Sequence, residues 1–248
     1  EIGQTTVAEA YGGGHDTVYS RADFLAVFSE VETFVLLDGA GGLLANRYDN
    51  HITGNAGAND LSGGGGGDTI LGMGGDDLLN GGIGNDTLDG GEGTDTALYA
   101  GILGGFDIVE NADGSLTVTD LVGDEGADTL LRVEYLQFAD QTIAAPNTIP
   151  NPGDEPTAPP PTSPDPAPEP DPTPAIPEPT ITGTATGGET VSGTGGDDVL
   201  ATGGGLWDKL AGGAGDDSYI VEIGQTTVAE AYGGGHDTVY SRADFLAV

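Results

Sequence analysis

Six contiguous nonapeptides constrain the fold of this chain more than any other feature of its sequence. They run without a gap from residue 45 to residue 98 and read ANRYDNHIT, GNAGANDLS, GGGGGDTIL, GMGGDDLLN, GGIGNDTLD and GGEGTDTAL. Two of them match G-G-x-G-x-D-x-U-x in full, where U is a large apolar residue. One match would carry little weight, but six in register indicate a regular, repeating coil.

The pattern assigns each nonapeptide a turn and a strand. The glycines permit positive φ, so the backbone can turn tightly, and the x-U-x segment is a short strand whose U side chain points inward. Two nonapeptides complete one coil, and successive coils stack about 4.8 Å apart. We therefore predict an all-β fold, a parallel β-roll with flanking β-hairpins and an extended Pro-rich linker. The expected core stack consists of Ile52, Leu61, Ile70, Leu79 and Leu88, with Ala97 narrowing the core at its end.

The same stacking brings acidic side chains together. Because residues two nonapeptides apart occupy the same place in successive coils, Asp68 lies under Asp86 and Asp77 lies under Asp95. Two carboxylates about 4 Å apart repel each other by about 4 kcal/mol at an effective dielectric constant of about 20. Calcium reverses that balance, because it binds six to eight oxygens from carboxylates and carbonyls. Since such a site does not exist in the unfolded chain, we expect the roll to be loose without calcium and compact with it.

The nonapeptides resemble the calcium-binding repeats of RTX proteins. The resemblance implies that each calcium ion lies between two turns on one side of the roll. The lower turn supplies the carbonyls of its second and fourth positions, the upper turn those of its first and third, and both supply the sixth-position Asp. One implied site consists of Gly64, Gly66, Asp68, Gly81, Ile83 and Asp86. Another consists of Met73, Gly75, Asp77, Gly90, Glu92 and Asp95.

A third implied site is weaker, because an amide stands where the acid should be. It consists of Asn55, Gly57, Asn59, Gly72, Gly74 and Asp77. Asn50 departs from the pattern in the same way. We therefore expect the first coil to act as a cap, with a turn-forming role for these Asn residues equally open.

A second run of nonapeptides lies nearer the end of the chain. GTGGDDVLA (193–201), GGGLWDKLA (203–211) and GGAGDDSYI (212–220) place Asp198, Asp208 and Asp217 at the sixth position. The spacing from Asp198 to Asp217 exceeds two nonapeptides by a single residue, and a bulge at Thr202 would absorb it. For Trp207 we favour a role covering an end of the roll over a role as a binding-surface aromatic.

Two further matches stand apart from these runs. YGGGHDTVY, at 11–19 and again at 232–240, puts Asp16 and Asp237 at the sixth position. His15 and His236 are interpreted as solvated turn residues rather than zinc ligands. GDEGADTLL (123–131) carries Asp128 but is isolated from the other nonapeptides, so we predict an ordinary turn there.

Alternating segments between the runs predict additional strands. They cover residues 31–37, 106–111, 114–120 and 133–140. Because Asp113 and Gly114 favour a turn, residues 106–120 are expected to form a β-hairpin.

The segment at 1–27 recurs, identically, at 222–248. An identity of that length predicts a tandem array, although an engineered permutation would give the same ends. On this interpretation residues 1–143 are the later part of one unit, 144–180 are a linker, and 181–248 begin the next unit. All 15 prolines lie in the linker, which predicts polyproline II. Whether the linker is a disordered spacer or docks on a neighbouring domain stays open.

Charge and the absence of certain residues limit the possible functions. The 41 acidic residues outweigh five basic ones, giving a net charge of -36. Such a chain will not attract nucleic acid or anionic membranes. No apolar run is long enough to span a membrane, and there is no cysteine. No catalytic constellation is found, so we expect a protein that is not an enzyme, with several calcium ions per repeat as its only cofactor.

The sequence thus favours a structural repeat of a giant, secreted, calcium-dependent protein. It would form a surface filament, an adhesin stalk or a biofilm matrix fibre, with identical repeat units in the same or neighbouring chains as partners. Cell-surface or matrix components are further candidate partners in cell adhesion. The RTX resemblance implies type I secretion from a Gram-negative bacterium. The alternatives are a secretion and folding module of a toxin or hydrolase, and a glycan-binding adhesin domain.

Overall fold

The computed structural model describes residues 6–8, 14–21, 24–25, 30–146, 176–205, 207–221, 226–229 and 235–241. Within these ranges nearly every regular element is a short β-strand. The strands before and within the contiguous nonapeptides are β1 (Thr6–Ala8), β2 (Thr17–Ser20), β3 (Phe24–Leu25), β4 (Thr33–Leu36), β5 (Gly42–Leu44), β6 (His51–Thr53), β7 (Asp60–Gly65), β8 (Thr69–Leu71), β9 (Leu78–Ile83), β10 (Thr87–Asp89) and β11 (Thr96–Leu98).

A 3-10 helix, η1 (Leu103–Gly105), follows the nonapeptides. The strands after it are β12 (Phe106–Glu110), β13 (Leu116–Asp120), β14 (Ala127–Leu131), β15 (Tyr135–Gln137) and β16 (Thr142–Ala144). Beyond the linker lie β17 (Ile181–Thr182), β18 (Thr190–Ser192), β19 (Val199–Ala201), β20 (Lys209–Ala211), β21 (Ser218–Val221), β22 (Thr227–Ala229) and β23 (Thr238–Ser241).

The described strands form a parallel β-solenoid of about ten turns, which confirms the predicted all-β roll. One face is a twelve-stranded sheet in the order β12-β13-β14-β10-β8-β6-β4-β2-β23-β21-β19-β17. The described strands of the other face form a seven-stranded sheet, β16-β15-β11-β9-β7-β5-β3, and a four-stranded sheet, β1-β22-β20-β18.

In the contiguous nonapeptides, two nonapeptides complete one coil, as predicted. Ile52 pairs with Ile70, and Leu61 pairs with Leu79, across neighbouring parallel strands. In strands β8 and β10 the middle residue is buried and the residues beside it are half-buried. The inward-pointing stack is completely buried, with 0% exposure at Ile52, Leu61, Ile70, Leu79, Leu88 and Ala97.

A hairpin closes one end of the roll. Strands β12 and β13 pair antiparallel, as expected for residues 106–120, and β13 pairs antiparallel with β14. The turn contains Gly114 at φ 88°. Under the hairpin, three aromatic rings pack with centroids 5.0–5.4 Å apart, and they belong to Tyr99, Phe106 and Phe138. These rings fill the core where Ala97 has narrowed it.

The coil from β19 to β21 is longer than two nonapeptides by a single residue, but no bulge in the strand ladder accommodates it. Strand β19 pairs with β21 without interruption, from Val199 opposite Ser218 to Ala201 opposite Ile220. The extra residue lies in the turn between β19 and β20, where Thr202 is fully buried. The predicted bulge at Thr202 is therefore wrong: the turn widens, and the strand ladder stays regular.

Within the described residues, the two copies of the duplicated segment share two strands, and these strands lie against each other. Thr17–Ser20 pairs in parallel with Thr238–Ser241, and Thr6–Ala8 pairs with Thr227–Ala229. Residues from both sides of the linker thus form one continuous stack. Most of the linker, residues 147–175, lies outside the described residues, and the unit boundaries remain a prediction. In the described part of the chain, no helix is long and apolar enough to cross a membrane.

Candidate metal centre

The sixth position of each turn forms a column of buried side chains along the roll. In this column the backbone N–H of one coil donates to the side-chain oxygen of the next coil's sixth residue. The Asp68 N–H donates to Asp86 Oδ1 at 2.7 Å, and the Asp86 N–H donates to Asp128 Oδ1 at 2.9 Å. Each acid is thereby held in one orientation by the coil beneath it.

The opposite side of the roll carries a second column built in the same way. The Asp77 N–H donates to Asp95 Oδ1 at 2.8 Å, and the Asp95 N–H donates to Glu134 Oε2 at 2.7 Å. The Asp side chains of both columns are almost completely removed from solvent, with 0–2% exposure at Asp68, Asp77, Asp86, Asp95 and Asp128.

Asp128 corrects one of the sequence predictions. It was expected to lie in an isolated turn, but β14 pairs in parallel with β10, and Thr129 lies opposite Thr87. The helix and hairpin between residues 99 and 122 interrupt the coil, so the regular spacing is lost while the stacking is kept. The motif match at 123–131 was the correct signal, and its separation from the other nonapeptides concealed it.

Among the sixth positions that the nonapeptide pattern does not predict, two are held by glutamates that accept an N–H from the neighbouring coil. Glu134 accepts the Asp95 N–H, and Glu32 accepts the Asp16 N–H at 3.0 Å. Neither lies in a glycine-rich nonapeptide. Both directly precede a strand with an inward apolar residue, which is Leu136 after Glu134 and Phe34 after Glu32. An acid two residues before an inward apolar residue is therefore the sequence pattern that could have identified them.

Most column acids keep one oxygen that has no hydrogen-bond partner within the described residues. Oδ1 accepts the N–H from the neighbouring coil, while Oδ2 is buried and unsatisfied at Asp68, Asp77, Asp86, Asp95, Asp208 and Asp217. A buried carboxylate oxygen without a partner costs considerable free energy. A repeated series of them fits a cation, because a cation would satisfy every one.

The first-position glycines show where such a cation fits. A Cβ added to Gly63 would lie 2.0 Å from Asp68 Oδ2 and 2.7 Å from the Gly81 carbonyl oxygen. A Cβ added to Gly72 would lie 2.2 Å from Asp77 Oδ2 and 2.4 Å from the Gly90 carbonyl oxygen. In both coils a carboxylate oxygen and the carbonyl of the coil above converge on space that only glycine leaves open. Hard oxygen ligands of this kind suit calcium.

The remaining implied ligands are placed less directly. The second- and fourth-position residues of the lower turns have positive φ, from 77° to 115°, at Gly64, Gly66, Met73 and Gly75. The carbonyls of Ile83 and Met73 accept backbone N–H groups from the adjacent coils at 2.9 Å. Each carbonyl keeps a second lone pair, and the roles of these residues and of Glu92 as ligands stay predictions. Among the described residues no three His, Cys, Asp or Glu side chains gather into one cluster.

Burial changes the acidity of the column carboxylates. Desolvation raises the pKa of Asp68, Asp77 and Asp128 to about 7, against the backbone hydrogen bonds that lower it. Desolvation also raises the pKa of Asp95 to about 6. Repulsion from the next acid in the column adds to the effect, from Asp86 on Asp68 and from Asp95 on Asp77. The metal-free columns therefore hold protons at a pH where ordinary carboxylates have lost them.

We expect the calcium-free chain to be more stable at pH 5 than at pH 8. The folded-state pKa of these acids is raised, so their favourable contribution is complete below about pH 4 and is lost as the pH rises through about 7. Thermal unfolding of metal-free protein, followed by circular dichroism across this range, measures the effect. In saturating calcium the trend should reverse, because protons compete with the ion. A calcium-free midpoint that rises with pH would contradict this assignment.

The coil of residues 45–62 has amides in place of the acids. Asn59 Nδ2 donates to the Ala40 carbonyl at 3.3 Å, and Asn50 Nδ2 donates to the Val31 carbonyl at 3.0 Å. Asn55 Nδ2 adds a bond to the Ala40 carbonyl at 2.8 Å. Each Asn amide thus donates to a main-chain carbonyl of the coil below. A carboxylate at the same place could contact that carbonyl only through a cation, so the hydrogen-bonding groups of this coil find partners without a metal ion.

Asn59→Asp is expected to add one bound calcium ion per chain. The new carboxylate would lose the amide donor to Ala40 and lie beneath Asp77, so it requires a cation. Calcium stoichiometry, measured by equilibrium dialysis with atomic emission, should rise by one. Asn111→Asp makes the same change in the hairpin, outside the columns, and should leave the count unchanged. Equal counts in all three proteins would contradict the column assignment.

The coils after the linker reproduce the arrangement with one exception. Asp208 and Asp217 are 1% exposed, and their Oδ1 atoms accept the N–H groups of Glu189 and Asp198. Asp198 differs, because it is partly exposed and its Oδ2 accepts both the N–H and the hydroxyl of Thr194, at 2.6 and 2.8 Å. Asp198 therefore closes a local turn in the structure.

The duplicated segment continues the column between the two halves. The Asp217 N–H donates to Asp237 Oδ1 at 2.8 Å, and the Asp237 N–H donates to Asp16 Oδ1 at 3.0 Å. Asp16 and Asp237 are buried, with 6% and 4% exposure. The adjacent His15 has a side chain that is 79% exposed, 3.8 Å from Glu32.

The fifth-position side chains form a further ladder that runs in the opposite direction. Asp49 Oδ1 accepts the Gly67 N–H at 2.7 Å, and Asp76 Oδ1 accepts the Thr94 N–H at 2.9 Å. Further side chains that do the same for the coils above them are Asn85, Asp197 and Asp216. The first acid of each Asp-Asp pair thus cross-links turns by hydrogen bonds, while the second faces the column.

Trp207 does not cover an end of the roll, contrary to the prediction. It lies at the fifth position of its nonapeptide, with φ 65° and 69% exposure. The side chain points away from the core, because the fifth position lies on the outer side of the turn.

Comparison with known proteins identifies the repeat. A family model described as the RTX calcium-binding nonapeptide repeat matches residues 43–70, 62–97 and 184–219. No curated protein matches the chain significantly. Among solved structures, the extracellular lipase LipA from Serratia marcescens is similar, with 16% identity and a TM-score of 0.37. The similar region covers 87% of this chain and 33% of the lipase, so the chain spans about a third of that enzyme's length.

Proposed function

From the RTX calcium-binding nonapeptide repeats that this chain carries on both sides of its linker, we propose that it is a structural unit of a giant secreted protein. The repeats bind calcium, and the ions stiffen the β-rolls into spacers. The units follow each other in a surface filament, an adhesin stalk or a matrix fibre outside the cell. External calcium at millimolar levels is sufficient for sites of this class, whereas the cytosol holds far less.

One observation carries the proposal: each coil stacks in register on the next through both the strand ladder and the acid column. About ten turns at roughly 4.8 Å each give a rod of about 50 Å in length. Because each coil contacts only its neighbours, such a roll can be extended without a new core. The exact repetition of segment 1–27 at 222–248 supports a spacer, since spacing needs repetition and tolerates identical units.

The chemistry of the surface supports a role in spacing rather than catalysis. A net charge of -36 keeps neighbouring rods apart in the absence of cations. Within the described residues, the buried acids are arranged as columns of equivalent positions that repeat along the roll.

Electron microscopy of the native protein tests this function. At saturating calcium we expect rods or filaments whose length repeats at a constant interval, and their loss after addition of EGTA. Monodisperse globular particles at saturating calcium would contradict the proposal. That result would favour the second candidate, a secretion and folding module behind a secreted enzyme or toxin.

A further inference from the structure

Trp207 is held in a backbone conformation that a bulky residue rarely adopts. Its φ is 65°, in the left-handed region that suits glycine and that a large side chain avoids. In other described turns the left-handed residue is a fourth-position glycine, as at Gly66, Gly84 and Gly215. Here the fourth position is Leu206, which lies outside the described residues, and the left-handed conformation falls on the fifth position. Strain of this kind persists only where the surrounding structure enforces it, and it is concentrated at binding sites.

The indole also lacks the role that other fifth-position side chains have. Asp76, Asn85 and Asp216 each accept an N–H from the turn above, whereas an indole has no acceptor to offer. Trp207 is instead 69% exposed. A strained residue that cross-links no turns and leaves its ring in solvent adds little to the stability of the roll.

The surface beside the ring is open. The register of β18 and β20 places Gly188 next to Trp207 in the coil below. A Cβ at Gly188 would meet nothing within 4 Å, and the same holds for Gly204 in the turn of Trp207 itself. Directly after the two turns, Thr190 and Lys209 pair in register, and both are exposed. The ring thus adjoins open surface, with a hydroxyl and an ammonium group on the strands that follow.

Charge and shape exclude several kinds of partner for this ring. Aromatic side chains stack on the bases of single-stranded nucleic acid, but a net charge of -36 repels polyanions. A stable protein interface buries about 800 Å² on each partner, whereas among the described residues beyond the linker Trp207 is the only exposed large hydrophobic residue. The positive charge of Lys209, two residues away, opposes a cation over the ring.

A neutral sugar fits what remains. One face of a pyranose ring presents C–H groups, and their partial positive charge suits the negative face of an aromatic ring. The hydroxyl groups at the rim of the sugar need hydrogen-bonding partners, which Thr190 and Lys209 can supply. Open surface around the indole leaves room for the neighbouring sugars of a chain.

We propose that Trp207 is the centre of a binding site for neutral glycans, in which a pyranose ring stacks on the indole. The site goes beyond the spacer role, and only its repetition, once in each unit of an array, rests on the proposed function. One ring on an open surface gives weak binding and little choice among neutral pyranoses. Repetition along an array would add avidity.

Fluorescence reports this site directly, because Trp207 is the only tryptophan of the chain. The full chain in saturating calcium is titrated with cellohexaose and with β-1,4-mannohexaose, and acrylamide quenching measures access to the ring. We expect efficient quenching in the free chain and protection by either glycan, with half-saturation at roughly millimolar concentration. Hexagalacturonate, which is anionic, and tetramethylammonium, a cation without hydroxyls, should give no protection at the same concentration.

Substitutions separate binding from folding. Native electrophoresis through a gel containing glucomannan and calcium should retard the natural chain and Trp207→Tyr, which keeps an aromatic ring, but not Trp207→Asn. Leu121→Asn is the matched control, since it removes a 63% exposed side chain in the hairpin, and it should be retarded like the natural chain. Because Asn tolerates the left-handed conformation, Trp207→Asn should also raise the thermal midpoint, by about 2–4 °C.

Each result decides the question. If neither glycan protects the ring of the folded chain, the glycan site is wrong, while the calcium-bound roll and its spacer role stand. Equal retardation of Trp207→Asn and the natural chain, or a midpoint that falls in Trp207→Asn, also overturns the site. Protection by tetramethylammonium would assign the ring to a cation instead. Quenching that declines with rising protein concentration, without glycan, would assign it to a second copy of the chain.

Discussion

Removal of calcium at pH 8 is expected to convert the chain from a β-roll into a largely unfolded, expanded polymer. The columns hold carboxylates one above another with Oδ2 atoms that have no partner among the described residues, and without the ion each coil repels the next. Far-ultraviolet circular dichroism should show loss of β-structure on addition of EGTA and its full recovery when calcium is restored.

The size of this effect follows from the number of sites. A site filled at about 100 times its Kd adds about 2.7 kcal/mol to the folded state, whereas a whole domain is stable by only about 5–15 kcal/mol. Two or three filled sites therefore account for most of the stability. The heat capacity change and the cooperativity of unfolding should both increase with calcium, as more coils join one unit.

Magnesium is the natural control for ionic strength and charge neutralisation. It requires octahedral geometry at about 2.0–2.1 Å and retains its waters, so it should not replace calcium in a site built mainly from carbonyls and carboxylates. A spectrum that is the same in EGTA, magnesium and calcium would contradict calcium-dependent folding.

Gly84→Ala is expected to have the second largest effect, a loss of more than about 4 kcal/mol in the free energy of unfolding. Gly84 has φ 135°, and an added Cβ would lie 1.7 Å from the Gly66 carbonyl oxygen. That atom belongs to the backbone of the coil below, so no side chain can move to relieve the clash. Two neighbouring coils must separate, and the sites between them would be lost.

Urea unfolding in saturating calcium measures this loss as a fall in the transition midpoint. Gly104→Ala is the matched control, because nothing lies within 4 Å of a Cβ at Gly104 and its φ is not positive. The control should change stability by no more than about 0.5 kcal/mol. Equal midpoints for both variants would show that close backbone stacking does not stabilise the roll.

The nonapeptides predicted the regular part of the molecule because their rules are local. Glycines fix the turns, and one apolar residue per strand fixes the core, so the pairing of Ile52 with Ile70 follows directly. The predicted hairpin at 106–120 is likewise a consequence of adjacent sequence. These features require no knowledge of distant contacts.

The errors arose where the stacking depends on residues far apart. Asp128 stacks on Asp86 only because a hairpin leaves the roll and then returns to it. Glu134 completes a column from a turn that lacks glycine. The duplicated segments stack on each other from opposite ends of the described chain, which a search for local periodicity does not address.

The amide-bearing coil shows a further limit of the pattern. From the sequence alone, the roles of Asn50 and Asn59 stay open between weak ligands and turn residues. The structure shows their amides donating to carbonyls of the coil below. The pattern alone could not establish this, because the outcome depends on which atoms face the amide.

The most direct test of calcium binding in the columns is a crystal structure grown in calcium, with anomalous scattering recorded to locate the ions. We predict anomalous peaks between Asp68 and Gly81 and between Asp77 and Gly90, where Oδ2 and carbonyl oxygens converge, and none beside Asn50 and Asn59. Ions found only on the outer surface, or an intact roll without ions in the columns, would contradict it.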